Sequence, residues 1–587
     1  MDRRSRANAG GSERSARAGV AAAVRRAAAA IALAAVVGCN AAAVRTAPDA
    51  GRAGAVASAA PAATAAGLEV LGAGGNAVDA AVATALALAV VHPSAGNLGG
   101  GGFAVARMAG RVEALDFRET APAAATAGMF LGANGTPDPE RSLVGPLAAG
   151  VPGSPAGLFE LQRRLGRLPW PVVVAPAARL AVEGFVVTAR VKRNVDAARD
   201  LLERFPETAA VWMPGGQPPP EGSVVRLPAL AVTLRSYAER GPEALTAGAA
   251  ADAIVRCSRS HGGILTQADL EGYRPVWRQP LVFSAFGWDA ASMPLPSSGG
   301  IIVAETTGML ERLRWGKLPV GSADRVHLLA ETWRRAFADR FLLGDPATTL
   351  AGSAQLLDPA WLARRAGEID VARATRSDAV RPWPGHERPE SRETTHLSAV
   401  DRDGNAVALT TTLNGSFGCG LLVPELGILL NNEMDDFASA PGTPNLYGLV
   451  QGVANAVGPG KRMLSSMAPT VAWRGGEVVA LGSPGGSRIP TAVAQVLLGV
   501  VVDGLPLAAA VDAPRVHHQW LPDEIAVEPG ALSPQVSAEL VRRGHTIREV
   551  EAIGEVDAVR RTAEGAFEAA ADRRGPGAAG VAERGPR

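Results

Sequence analysis

The sequence predicts an α+β fold in which stacked sheets are covered by layers of helix. Three observations carry this reading. Two apolar helical segments near the amino end lead into a glycine loop, and the stretch from roughly 155 to 375 is mostly helical. From Thr394 to about residue 500 the texture changes to short alternating strands separated by turns such as "DRDGN" and "WRGGEV". Strands that flank helices on both sides in sequence have two faces to cover, and layered packing supplies the cover.

Residues 1–39 read as an export leader. Arginines at positions 3, 4, 6, 14, 17, 25 and 26 precede "AAAAIALAAVVGCN", a positive region followed by an apolar run too short to count as a spanning helix. Its end, Val36-Val37-Gly38-Cys39, resembles a bacterial lipobox, which implies lipidation at Cys39 and anchorage to a membrane of the bacterial envelope. An ordinary cleaved signal with an incidental cysteine is the alternative, and either way the protein is expected to be exported, periplasmic or anchored.

Next comes "GLEVLGAGGNAVDAAVATALALAVVHPSAGNLGGGG". A first helix ends in the glycines around Gly72, Gly74 and Gly75, residues that tolerate the positive φ of a helix terminus. Asn76 then serves as N-cap with Asp79 three residues on, close to a capping box, and His92-Pro93 stops the second helix. From Ala77 to Val91 that helix spans about 22 Å, less than the roughly 30 Å of a hydrocarbon layer, so it is a core helix. The run Gly99–Gly102 lacks the strand-turn-helix order and acidic partner of a dinucleotide site. "NAVGPGKRM" has Asn455 for the first glycine and Arg462 for the Ser/Thr of a P-loop, and is not one. Further on, "RVHLLAETWRRAFADRFLLGDP" repeats apolar residues at helical spacing up to Gly344 and Pro346, while "MPLPSSGGI" reads only as a loop.

Of 587 residues, 47% are hydrophobic and 20% charged, enough for a substantial core. The net charge of +1 gives no bulk attraction for nucleic acid or an anionic membrane surface. Three cysteines without a CxxC pair argue against a disulfide framework and a structural zinc, so no metal is expected. His517 and His518 are adjacent on a strand, face opposite ways and have no evident acidic third ligand, so they read as structural. Cys419 reads as a small buried hydrophobe.

The segment "RSDAVRPWPGHERPES", about 376–393 with the residues that follow, has the composition of an exposed linker, and "TTHLSAVDRDGNAVALTTTLN" begins abruptly after it at Thr394. Neither GxSxG nor HExxH occurs in the chain. A nucleophilic threonine needs a base. His396 lies two residues on along the same strand face, out of dependable hydrogen-bonding range, and reads as a packed strand residue. If the Glu393–Thr394 bond is broken, the threonine gains an α-amine with a pKa of about 7.7–8.0, a base of its own. Composition by itself favours an ordinary loop running into a surface strand, with the threonines as plain β-formers.

The segments "GGNAVDAAVATALALAVV", "LDFRETAP", "LLAETWRRAFADRFLLGDP", "TTHLSAVDRDGNAVALTTTLN", "GILLNNEMDDF", "KRMLSSMAPT", "GSPGGSRI" and "PRVHHQWLPDE" resemble γ-glutamyltransferase (glutathione hydrolase), an N-terminal nucleophile hydrolase, in order from about residue 54 to the end. The resemblance implies a four-layer αββα sandwich with two antiparallel sheets between helix layers, made as an inactive precursor. Self-cleavage before Thr394 divides it into a large chain, 40–393, and a small catalytic chain, 394–587, that stay together as a heterodimer. Thr394 is then the nucleophile, Thr412 supports it, and the amides of Gly485 and Gly486 stabilise the oxyanion. Arg118, with Ser465 and Ser466, meets the α-carboxylate of a γ-glutamyl substrate, and Asn414, Glu433 and Asp436 gather around its ammonium. "PGTPNLYGL", 441–449, resembles the lid of members that have one, with Tyr447 as gate. Glutathione and related compounds are the implied donors, water, amino acids or peptides the acceptors, and no cofactor is called for. A glutaryl or cephalosporin-type acylase of the same fold and an unprocessed solute-binding lipoprotein are the competing readings.

Overall fold

The computed structural model describes residues 42–47, 51–381, 394–440 and 451–585. Two seven-stranded sheets dominate it. One runs in the order Ala578–Glu583, Arg52–Ser58, Thr395–Asp401, Ala406–Thr412, Gly101–Met108, Arg111–Asp116, Val276–Arg278. The other runs Ala43–Arg45, Phe567–Ala570, Asp557–Arg561, Glu477–Gly482, Thr470–Arg474, Trp288–Ser292, Leu281–Ala285. All neighbours within both sheets are antiparallel.

Side chains alternate between faces along each strand. In the first sheet Ala55, Ala57, Phe103, Val105, Val400 and Ala408 join Val471, Val479, Leu481 and Val559 of the second sheet in the core between them. The intervening Val56, Ala104, Leu397, Ala399 and Leu409 face outward into a second core, packed beneath the helices Pro61–Gly72 and Ala77–Val91. The helices Gly299–Arg312 and Arg488–Val501 cover the second sheet, with Ala323–Asp339 behind them. The result is helix, sheet, sheet, helix, the four-layer sandwich expected.

The local expectations for the first helices hold. Asn76 Oδ1 accepts from the amides of Val78 and Asp79, the Asp79 carboxylate accepts from Asn76 N–H, and the helix runs from Ala77 to Val91. Among the described residues no helix is long and apolar enough to cross a membrane. The glycine run serves close backbone packing: a Cβ on Gly100 would stand 2.1 Å from the Thr412 carbonyl oxygen, and one on Gly102 2.3 Å from that of Thr410.

One expectation needs correction. The span read as mostly helical contains the hairpin Leu281–Ala285/Trp288–Ser292, turned by Phe286 (φ 54) and Gly287 (φ 76), which forms an edge of the second sheet. At the start of the stretch read as an exposed linker, Arg376, Asp378 and Ala379 are exposed while two residues among them are held down. Ser377 and Val380 are buried because the Trp520 indole N–H donates to both their carbonyls and Asp523 accepts from Ser377 N–H. Thr395–Asp401 is a buried central strand, flanked by Arg52–Ser58 on one side and Ala406–Thr412 on the other, so the alternative of a loop running into a surface strand falls.

Candidate active site

Four strand ends converge on one cavity. Arg111–Asp116 ends two residues before Arg118, Thr395–Asp401 begins one residue after Thr394, Ala406–Thr412 ends at Thr412, and Glu477–Gly482 ends just before "SPGGS". The cavity is partly open, has a volume of about 20 Å³ and is lined by Arg118, Thr394, Thr412, Asn414, Glu433, Asp436, Ser465, Ser466, Met467, Gly486 and Ile489. Sequence reasoning named all of these but Met467 and Ile489. Gly485 precedes Gly486 in the chain but is not itself among the lining residues. Cys39, Glu393 and Tyr447 lie outside the described residues.

Thr394 is buried, and the register Thr395↔Thr411, continued by one residue, sets it opposite Thr412. The Thr412 hydroxyl accepts from Asn414 N–H at 2.8 Å and lies near enough to the Glu433 carboxyl to favour its charged form. Asn414 adopts a left-handed φ of 71, a conformation asparagine tolerates better than most side chains. It donates through Nδ2 to the Asn432 carbonyl at 3.0 Å.

Glu433 and Asp436 open and close one 3₁₀ turn, where residues three apart eclipse, so both carboxylates face the same way. They meet Arg118, whose Nη1 pairs with Glu433 and Nη2 with Asp436. The groups expected at the two ends of a bound zwitterion therefore touch each other in this structure. The Arg118 backbone is fixed from three directions: its N–H donates to Asp116, and its carbonyl accepts from Tyr273 Oη and Arg462 Nη1, each at 2.8 Å. Burial, only partly opposed by Arg118, holds the Glu433 carboxyl well above the usual carboxylate range. Burial likewise pushes Glu119, 3.8 Å from Arg118, up to about 8.

Gly485 (φ 125) and Gly486 (φ 56) both lie in the region that disfavours a side chain. They feed directly into the helix Arg488–Val501. Its N-cap residue, Ser487, makes no capping bond and donates instead to Gln519. The first amides of that helix and its positive dipole end consequently lie at the rim of the cavity.

His396 is fully buried, with Nδ1 2.9 Å from Thr410 Oγ1 and Nε2 3.0 Å from Ser398 Oγ, and burial lowers it to about 3. Those bonds occupy both ring nitrogens, as a packed residue requires. His517 bonds Thr491 and Gln519, His518 accepts from Trp520 N–H, and burial pushes the Cys419 thiol up to about 12.

The family model described as Gamma-glutamyltranspeptidase matches residues 63–582. The chain belongs to that family. A "Glutathione hydrolase proenzyme" of Escherichia coli (strain K12) is 43% identical over 512 residues, 86% of this chain and 88% of the relative. The fold superposes on the structure of a cephalosporin acylase from Bacillus halodurans with a TM-score of 0.79 at 28% identity, covering 93% of this chain and 97% of that one. Against Helicobacter pylori gamma-glutamyltranspeptidase the TM-score is 0.54 at 36% identity, over 56% of this chain and 94% of the other.

Sequence reasoning missed the layer behind the serines of this transpeptidase-family site. Ser298, in the loop left without a role, donates through Oγ to the Ser465 carbonyl at 2.7 Å, and Arg340 reaches both Ser298 and Ser466. The only sequence signal for Arg340 was a cation at the end of a helix whose other faces are buried.

Proposed function

We propose that this chain is a self-processing γ-glutamyltransferase and glutathione hydrolase in which Thr394 carries both the maturation step and the turnover. In maturation, Thr394 Oγ attacks the Glu393 carbonyl, the Glu393–Thr394 peptide bond gives way to an ester, and water hydrolyses the ester. This leaves a chain beginning at Thr394 with a free α-amine. Strand order explains how the two products stay together, because Thr395–Asp401 is hydrogen-bonded on one side to Arg52–Ser58 of the large chain.

In turnover the α-amine accepts the Thr394 hydroxyl proton as Oγ attacks the γ-glutamyl amide carbon. Gly485 and Gly486 amides stabilise the oxyanion, the amine leaves with a proton, and water or an acceptor amine resolves the threonyl ester. Thr412 and the β-branch of Thr394 hold the nucleophile in its rotamer. The α-carboxylate takes the guanidinium of Arg118 and the hydroxyls of Ser465 and Ser466, and the α-ammonium takes Asp436, Glu433 and Asn414. The observation that carries this reading is one cavity holding Thr394, the Arg118–Asp436 pair and Gly486.

The acylase alternative draws on the likeness to the Bacillus halodurans enzyme, but Asp436 on Arg118 supplies a negative charge that a glutaryl group cannot use. Comparing release from γ-glutamyl and glutaryl p-nitroanilides decides between them: faster γ-glutamyl cleavage is expected, and faster glutaryl cleavage overturns the assignment. Export with lipidation at Cys39 is the remaining part of the proposal. Intact mass spectrometry checks it, a mass without diacylglycerol at Cys39 counting against the anchor.

A further inference from the structure

Arg340 directly follows the helix Ala323–Asp339 and is 3% exposed. Its Nε–H donates to Ser298 Oγ at 2.9 Å and its Nη2–H to Ser466 Oγ at 3.4 Å. Its Nη1 is buried and makes no hydrogen bond to any described group. Ser298 passes the restraint on, because both its N–H (2.8 Å) and its Oγ–H (2.7 Å) donate to the Ser465 carbonyl. One guanidinium therefore reaches both serines of "LSSM", the second directly and the first through Ser298.

Direction matters here. A guanidinium has five N–H donors and no acceptor, so Ser466 Oγ accepts from Arg340 and its own hydrogen is left to donate elsewhere. Ser466 lines the cavity, so a carboxylate bound there can receive that hydrogen. Charge points the same way. Arg118 is already paired with the Asp436 carboxylate, so an incoming carboxylate meets a cation whose field is partly cancelled. Arg340 is a second cation close enough for Asp436 to favour its charge and Arg118 to oppose it; burial brings it down to about 10, still protonated at neutral pH.

We propose that Arg340 is a positioning residue of the α-carboxylate subsite, presenting Ser466 as a donor, anchoring Ser465 through Ser298, and adding to the positive potential of the partly cancelled Arg118. The subsite is then built across the cut, with Arg340 and Ser298 from the large chain behind serines of the small one. This rests on the γ-glutamyl reading above.

The test compares three p-nitroanilides on the mature two-chain enzyme: γ-glutamyl (carboxylate and ammonium), glutaryl (carboxylate alone) and 4-aminobutanoyl (ammonium alone). Arg340→Met is expected to lower kcat/KM for the two carboxylate-bearing substrates by about 10-fold or more, chiefly through KM, and to change the third by less than about 2-fold. Arg340→Lys, which keeps the charge, is expected to recover part of the loss. Combining Arg340→Met with Ser466→Ala is expected to cost less than the product of the two single effects. Equal loss on all three substrates, or loss on none, overturns the proposal. Should Arg340→Met fail to mature, Ser298→Ala takes its place, with a rise in KM of about 3-fold expected for the carboxylate-bearing pair only; an unselective change overturns the proposal equally. A wild-type enzyme that cleaves the 4-aminobutanoyl anilide as well as the γ-glutamyl one would instead sink the γ-glutamyl reading itself.

Discussion

Replacing Asp436 with asparagine keeps the side-chain volume and removes one charge from the cavity wall. The backbone bonds of this residue survive, since its carbonyl accepts from Gln451 and Asn455. What goes is the carboxylate that faces Arg118 and, with substrate bound, the ammonium. Opposite charges about 4 Å apart at an effective dielectric of 20 attract by about 4 kcal/mol, and dehydration of the ammonium takes back part of that. The net value of a hydrogen bond to a charged group, about 1.5–3 kcal/mol, translates into a loss of roughly 10- to 150-fold in kcat/KM on a γ-glutamyl anilide. The glutaryl anilide has no ammonium to lose, so its kcat/KM should stay within about 3-fold or rise. The assay is p-nitroaniline release by preparations matched for the fraction of mature chain on a denaturing gel. Equal losses on both substrates, or an undiminished γ-glutamyl rate, would refute the assignment of Asp436 to the ammonium.

Thr394→Ala should leave a single full-length chain with no detectable γ-glutamyl release, read on the same gel and assay. Gly485→Ala forces a side chain onto φ 125, 3.3 Å from Gly554 Cα, and should lower kcat about 10- to 100-fold with little change in KM. His396→Asn should keep kcat/KM within about 3-fold in the folded enzyme, because loss of a true general base costs about 10²-fold or more. Acid should destabilise the fold through its buried histidines. His396 and His545 are held at about 3 by burial, whereas an unfolded histidine titrates near 6.5. Their contribution is complete above about pH 6.5 and is lost as pH falls toward 3, by about 1.4 kcal/mol per pH unit for each. Denaturant melts at pH 7, 6 and 5 check the slope, which His396→Asn should flatten by one histidine's share.

What could be read from the sequence was what is decided locally or by a long motif. The Asn76/Asp79 cap lies within four residues and needs no tertiary context, and the helix it starts was placed from it. The cavity residues were legible only through the family resemblance, because "DFRET", "TTTLN", "EMDD", "LSSM" and "SPGGS" fall together and in order on the family's positions, whereas each residue alone reads as a surface charge, a cap or a plain turn. The hairpin at 281–292 escaped because its register partner, Thr470–Arg474, is remote in sequence and its helical neighbours set the local texture; the Phe286-Gly287 turn was the signal available. Ser377 and Val380 looked like linker because the indole of Trp520 that buries them comes from far along the chain. Arg340 was invisible for the same reason, its partners Ser298 and Ser466 being joined to it only by the fold.

Sequencing from the amino terminus of the smaller chain in a fully active preparation tests the central claim most directly. The account predicts a single sequence beginning Thr394-Thr395-His396-Leu397. Full activity in a preparation whose only amino terminus lies elsewhere, or in an uncut chain, would contradict it.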